Sequence, residues 1–358
     1  MRTYVFIIIF LVACAGIEKA VAQQSSPKID AWLAAKAPDM GGRLYLLVYK
    51  DGNIIYSKGV NKMSDRQKRI ENLLAKRRGN QLNGNDFTTG SKIPIASCSK
   101  WLSAALVMTF VDEGKLQLSD TVGKYLPVMT QSGKGHITIS QCLSHLTGIK
   151  TQSLKEDLAA MRQLNSMEEA IARIATLPME GAPGKTFHYS NAGLQIAGAV
   201  IEKISGKDFE TLFTERIAGP LEMKNTDFGN KKTPLPAGGA FSTAGDYMHF
   251  LEMLLNKGLY KGNRILSEKS IAEMQANRIS KEVSITYSPA GGGKLGYGFG
   301  EWVGSDGNYI SSPGLFGSYP WIDNQKKYCA ILFSYNINAK ERHENYMNIR
   351  KLIEEEIL

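Results

Sequence analysis

The sequence predicts an α+β fold: an antiparallel sheet built from both ends of the chain, flanked by helices, with a mostly helical subdomain. Three observations lead to this fold class. Residues 43–58 read as strands, residues 297–335 form a second strand-rich region, and the segment between them carries apolar residues mainly at helical spacing. Strands at both chain ends with helices between them favour a single sheet over a βαβ repeat.

The first elements form a helix and a hairpin. A short helix is expected near Lys28–Ala37, and the apolar-rich run Arg43–Lys50 follows as a strand. Asp51–Asn53 contains the Asp-Gly pair that is typical of a tight turn, and Ile54–Lys58 continues as a second strand. This pattern predicts a β-hairpin at the N-terminal edge of the domain.

The middle of the chain is predicted to be helical. Several segments repeat apolar residues every three or four positions and stop at or near a glycine, which is a common helix terminator. The predicted helices are Trp101–Glu113, Ser166–Thr176, Ala192–Ile204 and Asp246–Asn256.

The C-terminal part returns to strands and closes with a helix. Gly, Asp-Gly and Pro-Gly turns separate the apolar segments Tyr297–Val303, Tyr309–Ser311 and Tyr328–Tyr335, which are predicted strands. A final helix is expected over Ala339–Glu356. The chain contains neither a glycine-rich dinucleotide fingerprint nor a phosphate-binding loop, so nucleotide-dependent chemistry is not indicated.

The N-terminus has the features of an export signal. The apolar run Tyr4–Val12 is too short to span a bilayer, and Ala20–Ala22 offers a small-x-small cleavage site. Leu11–Cys14 offers an alternative, because it resembles a lipoprotein signal in which Cys14 would be lipidated. We therefore expect residues 1–22 to be a signal peptide and residues 23–358 to form the domain, exported to the periplasm or secreted.

Composition indicates a soluble globular domain with a basic surface. The 358 residues are 43% hydrophobic and 22% charged, with a formal net charge of +9. Part of the basic excess lies in Lys62–Arg78, which suits either nucleic acid or a surface facing an anionic cell envelope. No nucleic-acid-binding motif accompanies it, so we expect envelope association and no nucleic acid. After export only Cys98, Cys142 and Cys329 would remain, which excludes a disulfide-stapled scaffold.

The segment Ser97–Lys100 is the strongest candidate for chemistry. It is an S-x-x-K pattern directly before an apolar helix, so the lysine lies one helical turn from the serine hydroxyl. A serine needs a base to take its proton, and a buried lysine can supply one near neutral pH. The pattern alone is weak, since Ser25–Lys28 also matches it, and we assign that second match no function.

Tyr189–Asn191 is the first candidate partner of Ser97. A phenol at Tyr189 could shuttle a proton if neighbouring cations lower its pKa, and Asn191 could orient Lys100 or bind a substrate amide. Seen alone, the tripeptide also fits a packed tyrosine followed by a helix N-cap.

Ser312–Gly317 is the second candidate partner. A strand edge here would line the site, with Ser312 and Gly314 beside the substrate, and a glycine permits close approach to the backbone. The N–H of Leu315 could pair with that of Ser97 to hold an oxyanion. An ordinary strand-joining turn explains the segment equally well.

These segments resemble the superfamily of serine β-lactamases and penicillin-binding-protein-like enzymes, especially the branch of class C β-lactamases, D-aminopeptidases and related esterases. Ser97–Lys100 matches its first motif and Tyr189–Asn191 its Y-x-N motif. Further similar segments are Cys142–Gly148 ("LLSHTSG"), Gly219–Met223 with Thr226 ("PLGM-x-x-T"), and Gly238–Thr243 with Asp246 ("GG-x-x-ST-x-x-D"). The order agrees from about residue 40 to 335. The resemblance implies a β-lactamase/transpeptidase-like fold.

The resemblance also implies acyl transfer through an acyl-enzyme on Ser97. Lys100 and Tyr189 would share the proton transfers, with the principal base left open, and no metal or organic cofactor is expected. The third motif departs from the family, because Ser312 replaces the usual lysine or histidine. Loss of that cation disfavours an efficient β-lactamase and leaves room for an ester or neutral amide. The basic segment Lys62–Arg78 could supply a substitute cation at the site entrance.

Three functions therefore remain open at the level of sequence. The first is an exported serine hydrolase acting on a small-molecule or peptide-like ester or amide. A D-stereospecific peptidase or weak β-lactamase uses the same chemistry, and a penicillin-recognising sensor or inactive binding module is the alternative of another class. His145 invites comparison with a Ser-His-Asp triad, but no G-x-S-x-G elbow is present, so we expect a packing role for it.

Overall fold

An antiparallel seven-stranded sheet stands at the centre of the computed structural model, which describes residues 24–78, 84–161, 163–229, 232–289, 295–336 and 342–358. The strands in chain order are β1 (Arg43–Lys50), β2 (Asn53–Asn61), β3 (Ile93–Pro94), β4 (Thr186–His188), β5 (Phe241–Ser242), β6 (Leu259–Tyr260), β7 (Asn263–Arg264), β8 (Ser284–Tyr287), β9 (Gly296–Tyr297), β10 (Trp302–Val303), β11 (Tyr309–Ser311), β12 (Tyr319–Asp323) and β13 (Tyr328–Ser334). The sheet order is β2-β1-β13-β12-β11-β10-β9, so the two chain ends meet where β1 pairs with β13. The predicted α+β fold is confirmed.

Strand β1 shows how one sheet separates two hydrophobic cores. Successive side chains of a strand point to opposite faces, and almost every residue of β1 is buried. Tyr45, Leu47 and Tyr49 belong to the larger core on one face. Leu44, Leu46 and Val48 belong to the second core on the other face. Both faces of the sheet are therefore covered.

Helices cover the sheet and build the subdomain. They are α1 (Pro27–Lys36), α2 (Asp65–Arg78), α3 (Ser99–Asp112), α4 (Pro127–Gln131), α5 (Ile139–Leu143), α6 (Leu154–Met161), α7 (Met167–Thr176), α8 (Ala192–Ser205), α9 (Phe209–Phe213), α10 (Ala244–Leu255), α11 (Glu268–Gln275) and α12 (Arg342–Glu356). Helices α1 and α12 pack on the second core, whereas α3, α8 and α10 contribute to the larger one. Helix α3 is buried on all sides from Ser99 to Phe110, as expected for a helix at the centre of a core. None of the helices in the described ranges is both long and apolar enough to cross a membrane.

The main departure from the sequence prediction concerns Tyr297–Val303. This segment is not one strand but the two short strands β9 and β10, joined by a turn in which the Gly298 N–H donates to the Glu301 carbonyl. Gly300 has a φ of +76°, a left-handed conformation that glycine adopts without steric cost. A Cβ at Gly300 would lie 2.4 Å from the Lys100 carbonyl oxygen. The turn therefore brings the end of the sheet against α3.

The predicted signal peptide, residues 1–22, lies outside the described residues. The three cysteines of the described chain are free and buried.

Candidate active site

Ser97 lies on a strained turn that leads directly into α3. The turn is a single 3₁₀ segment, Ala96–Cys98, and Ala96 has a φ of +46°. A non-glycine residue in this conformation costs roughly 1–3 kcal/mol, so its surroundings must hold it. The Ser99 hydroxyl donates to the Ala96 carbonyl (2.5 Å) and accepts from the Ala240 N–H (3.0 Å). These contacts tie the turn to the segment that precedes β5.

Lys100 is buried beneath Ser97, with 1% of its surface exposed. Its Nζ lies 3.3 Å from Ser97 Oγ, 2.7 Å from the Ala237 carbonyl oxygen and 3.4 Å from Asn191 Oδ1. Burial disfavours the charged ammonium and lowers the pKa of Lys100 to about 7. A large fraction of neutral amine is therefore present at neutral pH, within reach of the serine proton.

Tyr189 completes the group around Ser97. Its phenol lies near the Ser97 side chain, which acts to lower the pKa of the phenol, and Lys100 Nζ lies 4.8 Å from the centre of the Tyr189 ring. The ring stacks on Trp302 at 5.4 Å. The sequence interpretation required a lowered pKa, but burial raises the pKa of Tyr189 above its ordinary value. The phenol is thus a neutral proton donor rather than a phenolate.

Asn191 immediately precedes α8, yet its side chain does not cap the helix. Its amide nitrogen donates to Asp157 Oδ2 (3.0 Å), and its amide oxygen faces Lys100. The structure therefore places Ser97, Lys100, Tyr189 and Asn191 together, as the two motifs predicted.

The third predicted segment lies beside this group, but its members occupy different positions. The Ser312 side chain is buried and donates to the Gly300 carbonyl (2.9 Å), so it faces the protein and is not among the residues that line the described cavity. A Cβ on Gly314 would lie 2.3 Å from the Ile95 carbonyl oxygen, so the glycine permits close packing against the segment before Ser97. The prediction that Ser312 contacts the substrate remains a prediction, and the buried, inward-facing position of its side chain does not favour it.

Pro313, Gly314 and Leu315 of that segment line the cavity, and Leu315 has 37% of its surface exposed. Among the described residues, neither its backbone N–H nor that of Ser97 has a hydrogen-bond acceptor. Two such free donors beside a nucleophile suit an oxyanion, which supports the predicted pairing.

His145 packs beneath Tyr189 and does not join a triad. Its ring centre lies 4.5 Å from that of Tyr189, its Nε2 is hydrogen-bonded to the Tyr297 hydroxyl (3.0 Å), and its Nδ1 accepts from the Ser190 N–H (3.4 Å). Burial holds the pKa of His145 well below its usual value. Both ring nitrogens are occupied, as a packing role predicts.

The group opens onto a cavity of about 980 Å³ with two chemically different walls. One wall includes the aromatic and apolar side chains of Tyr309, Leu315, Tyr319, Tyr346 and Met347, and Arg342, His343 and Glu344 at the start of α12 also line the cavity. The other is polar and includes Lys150, Gln152, Asp157, Glu180 and His188. Except for Leu315, none of these residues belongs to a motif that the sequence analysis identified.

The basic segment Lys62–Arg78 does not occupy the position suggested for it. Most of it forms α2, and no residue of this segment lines the cavity among the described residues. The expectation that it supplies a cation at the site entrance is therefore not supported.

Comparisons with known proteins agree with this geometry. The beta-lactamase family model matches residues 37–353. The D-alanyl-D-alanine-carboxypeptidase/endopeptidase AmpH of Escherichia coli is 25% identical over 240 residues, which are 60% of this chain and 60% of AmpH. A candidate beta-lactamase from Bacteroides dorei is 25% identical with a TM-score of 0.73, over 91% of this chain and 98% of that one. EstCE1, a hydrolase with promiscuous acyltransferase activity, is 19% identical with a TM-score of 0.73, over 91% of this chain and 97% of that one. At this identity the similarity shows the fold alone.

Proposed function

Because this chain belongs to the beta-lactamase family, whose enzymes of this fold are serine hydrolases, we propose that it cleaves an ester or amide through an acyl-enzyme on Ser97. The observation that carries the proposal is the distance of 3.3 Å between Ser97 Oγ and the buried Lys100 Nζ, whose pKa is lowered to about 7. A base and a nucleophile at hydrogen-bond distance form the minimal device for such chemistry.

The reaction follows from the protonation states of the two partners of Ser97. Neutral Lys100 accepts the serine proton while Ser97 Oγ bonds to the substrate carbonyl carbon. The N–H groups of Ser97 and Leu315 hold the oxyanion. As the intermediate collapses, the bond to the leaving group breaks and the phenol of Tyr189 donates the proton that this group needs. Proton transfer from Lys100 restores the phenol, and a water molecule then hydrolyses the acyl-enzyme.

The cavity favours a substrate with an apolar acyl or alkyl group. Its aromatic wall offers apolar surface beside Ser97, whereas Ser312 offers no cation where the family usually has one. We therefore place esters and neutral amides ahead of β-lactams, whose carboxylate would lack its usual partner.

A D-stereospecific peptidase is the second candidate. Lys150 lies in the polar wall, where its ammonium could meet a peptide carboxylate, and AmpH is a carboxypeptidase and endopeptidase. This alternative uses the same nucleophile and differs in the substrate alone.

Labelling with an uncharged fluorophosphonate tests the shared chemistry. We expect stoichiometric labelling of the wild type, none of Ser97→Ala, and unchanged labelling of Ser25→Ala, the matched control in the second S-x-x-K pattern. Absence of a Ser97-dependent adduct would refute the proposal. Short-chain esters, D-amino-acid amides and a chromogenic cephalosporin then rank the substrates. A stable penicillin adduct without turnover would favour the sensor instead.

We also propose that the protein is exported to the cell envelope. The support comes from the signal-like residues 1–22 and from α2, where Arg66, Arg69 and Lys76 are exposed and Lys68 is half-buried. None of these four has an ion-pair partner among the described residues. Cell fractionation and the mass of the mature N-terminus test the location, and Cys14→Ala separates a lipoprotein from a simply cleaved protein.

A further inference from the structure

We propose that Asp157 is a positioning residue that fixes the orientation of the Asn191 amide and thereby aims the lone pair of Lys100 at Ser97. This inference rests on the proposed function, because it assigns a role in the acylation of Ser97. Asp157 belongs to α6, far in sequence from both motifs.

A continuous chain of hydrogen bonds connects Asp157 to the base. The carboxylate has 6% of its residue surface exposed and lies at the polar wall of the cavity. Its Oδ2 accepts from the amide nitrogen of Asn191 (3.0 Å), and its Oδ1 accepts from Arg173 Nη1 (2.8 Å). Arg173 Nη2 in turn donates to Gln152 Oε1 (2.9 Å), so Arg173 of α7, itself held by Gln152, fixes the carboxylate from behind.

The chemistry of the carboxylate makes this arrangement directional. An ionised carboxylate only accepts hydrogen bonds, whereas an amide has a donating and an accepting end. Asn191 must therefore turn its nitrogen to Asp157, which leaves its oxygen facing Lys100 at 3.4 Å. The opposite orientation would place amide oxygen against carboxylate and amide N–H against amine N–H.

The oxygen of Asn191 then determines what Lys100 presents to Ser97. A neutral amine has two N–H donors and one lone pair. The Ala237 carbonyl and the Asn191 amide oxygen accept the two donors, so the lone pair remains for the third neighbour, Ser97 Oγ at 3.3 Å. The base is thereby oriented before a substrate arrives.

Asp157 also acts on Lys100 through its charge. Its negative charge favours the ammonium form and so raises the pKa of Lys100, against the lowering by burial. The titratable and charged groups that face Lys100 from the elements around it, or act through Asp157, are Cys98, His145, Asp157, Arg173 and Tyr189.

The test is Asp157→Asn, an isosteric change that supplies an amide able to face Asn191 in either orientation. We expect fluorophosphonate labelling and kcat to fall about tenfold or more with little change in KM, because orientation of the base is lost. We also expect the acid limb of the pH profile to move about one unit lower, because the opposite charge is gone. Asp157→Glu keeps an acceptor-only group and should recover part of the rate. Asp120→Asn, at a surface contact with Lys124 and Tyr125, is the matched control.

A double-mutant cycle separates this role from a structural one. In an Asn191→Ala background, Asp157→Asn should have almost no further effect on the plateau rate above the acid limb, whereas general loss of packing would add to it. Additive losses of rate in the double variant would overturn the inference. A wild-type rate and pH profile in Asp157→Asn would do the same, and in both cases labelling of Ser97 in the wild type would leave the proposed function intact. Absence of labelling in the wild type would instead remove the proposed function, and the inference with it.

Discussion

The rate of Ser97 acylation should rise about tenfold between pH 6 and pH 8. Lys100 acts as a base only when neutral, and burial lowers its pKa to about 7 from the ordinary value of 10.5. With that value, about one tenth of the enzyme holds neutral Lys100 at pH 6 and about nine tenths at pH 8. An unperturbed lysine would be neutral in less than about one molecule in a thousand at pH 7, so the burial of α3 is what makes the base available.

The measurement is the second-order rate constant for labelling by an uncharged fluorophosphonate from pH 5.5 to 9. A neutral reagent does not titrate over this range, so the inflection belongs to the enzyme. Lys100→Arg is the matched control, because guanidinium stays protonated at every pH of the assay. We expect this variant to react about 10²–10⁴ times more slowly and to show no inflection near pH 7.

Two results would refute the reasoning. A labelling rate that is flat between pH 6 and 8 would mean that no group with a pKa near 7 takes the proton. A rate that still rises about tenfold per pH unit up to pH 9 would mean that Lys100 retains its ordinary pKa and that burial does not tune it.

Three further predictions concern the same residues. Tyr189→Phe keeps the ring on Trp302 but removes the proton donor, so turnover should fall about 10²-fold for esters with poor leaving groups and less for p-nitrophenyl esters; a leaving-group series measures this. Gly314→Ala places a methyl group 2.3 Å from the Ile95 carbonyl, and denaturant unfolding should show a loss of about 1–3 kcal/mol together with reduced labelling. Between pH 7 and 9 the wild type should gain ~2 kcal/mol of stability relative to Lys100→Met, because the unfolded lysine binds a proton that the folded one has released; an unchanged difference would contradict the lowered pKa.

The sequence was most informative where chemistry depends on local geometry. Ser97 and Lys100 are three residues apart at a helix start, so helical periodicity alone places both side chains on one face. Helical spacing does not place Tyr189 and Asn191, because the sequence does not show which surface the start of α8 packs against. The Y-x-N motif was needed to assign them to the site. The sheet was predictable for a similar reason, since the near-continuous apolar runs of β1 and β13 mark strands buried on both faces.

The remaining parts of the site depend on contacts between distant segments. Asp157 lies 57 positions from Lys100 and 34 from Asn191, in a helix with an ordinary acidic first turn. Nothing in that helix distinguishes its role from capping or solubility. The two-strand structure of residues 296–303 was missed because Phe299 and Trp302 suit a strand, whereas the φ of Gly300 depends on the backbone of Lys100 packing against it.

Burial shifts the pKa values of the two proposed proton-transfer groups, Lys100 and Tyr189, in opposite directions. It disfavours whichever form is charged, so it lowers the pKa of Lys100 and raises that of Tyr189. Near neutral pH a substantial fraction of Lys100 is therefore an uncharged amine with a lone pair, while Tyr189 is an uncharged phenol with a proton to give. Burial matters most for the base, because a phenol of ordinary pKa is also protonated near neutral pH. A change that admits water beneath Ser97 should therefore reduce the neutral fraction of Lys100 while Tyr189 stays protonated.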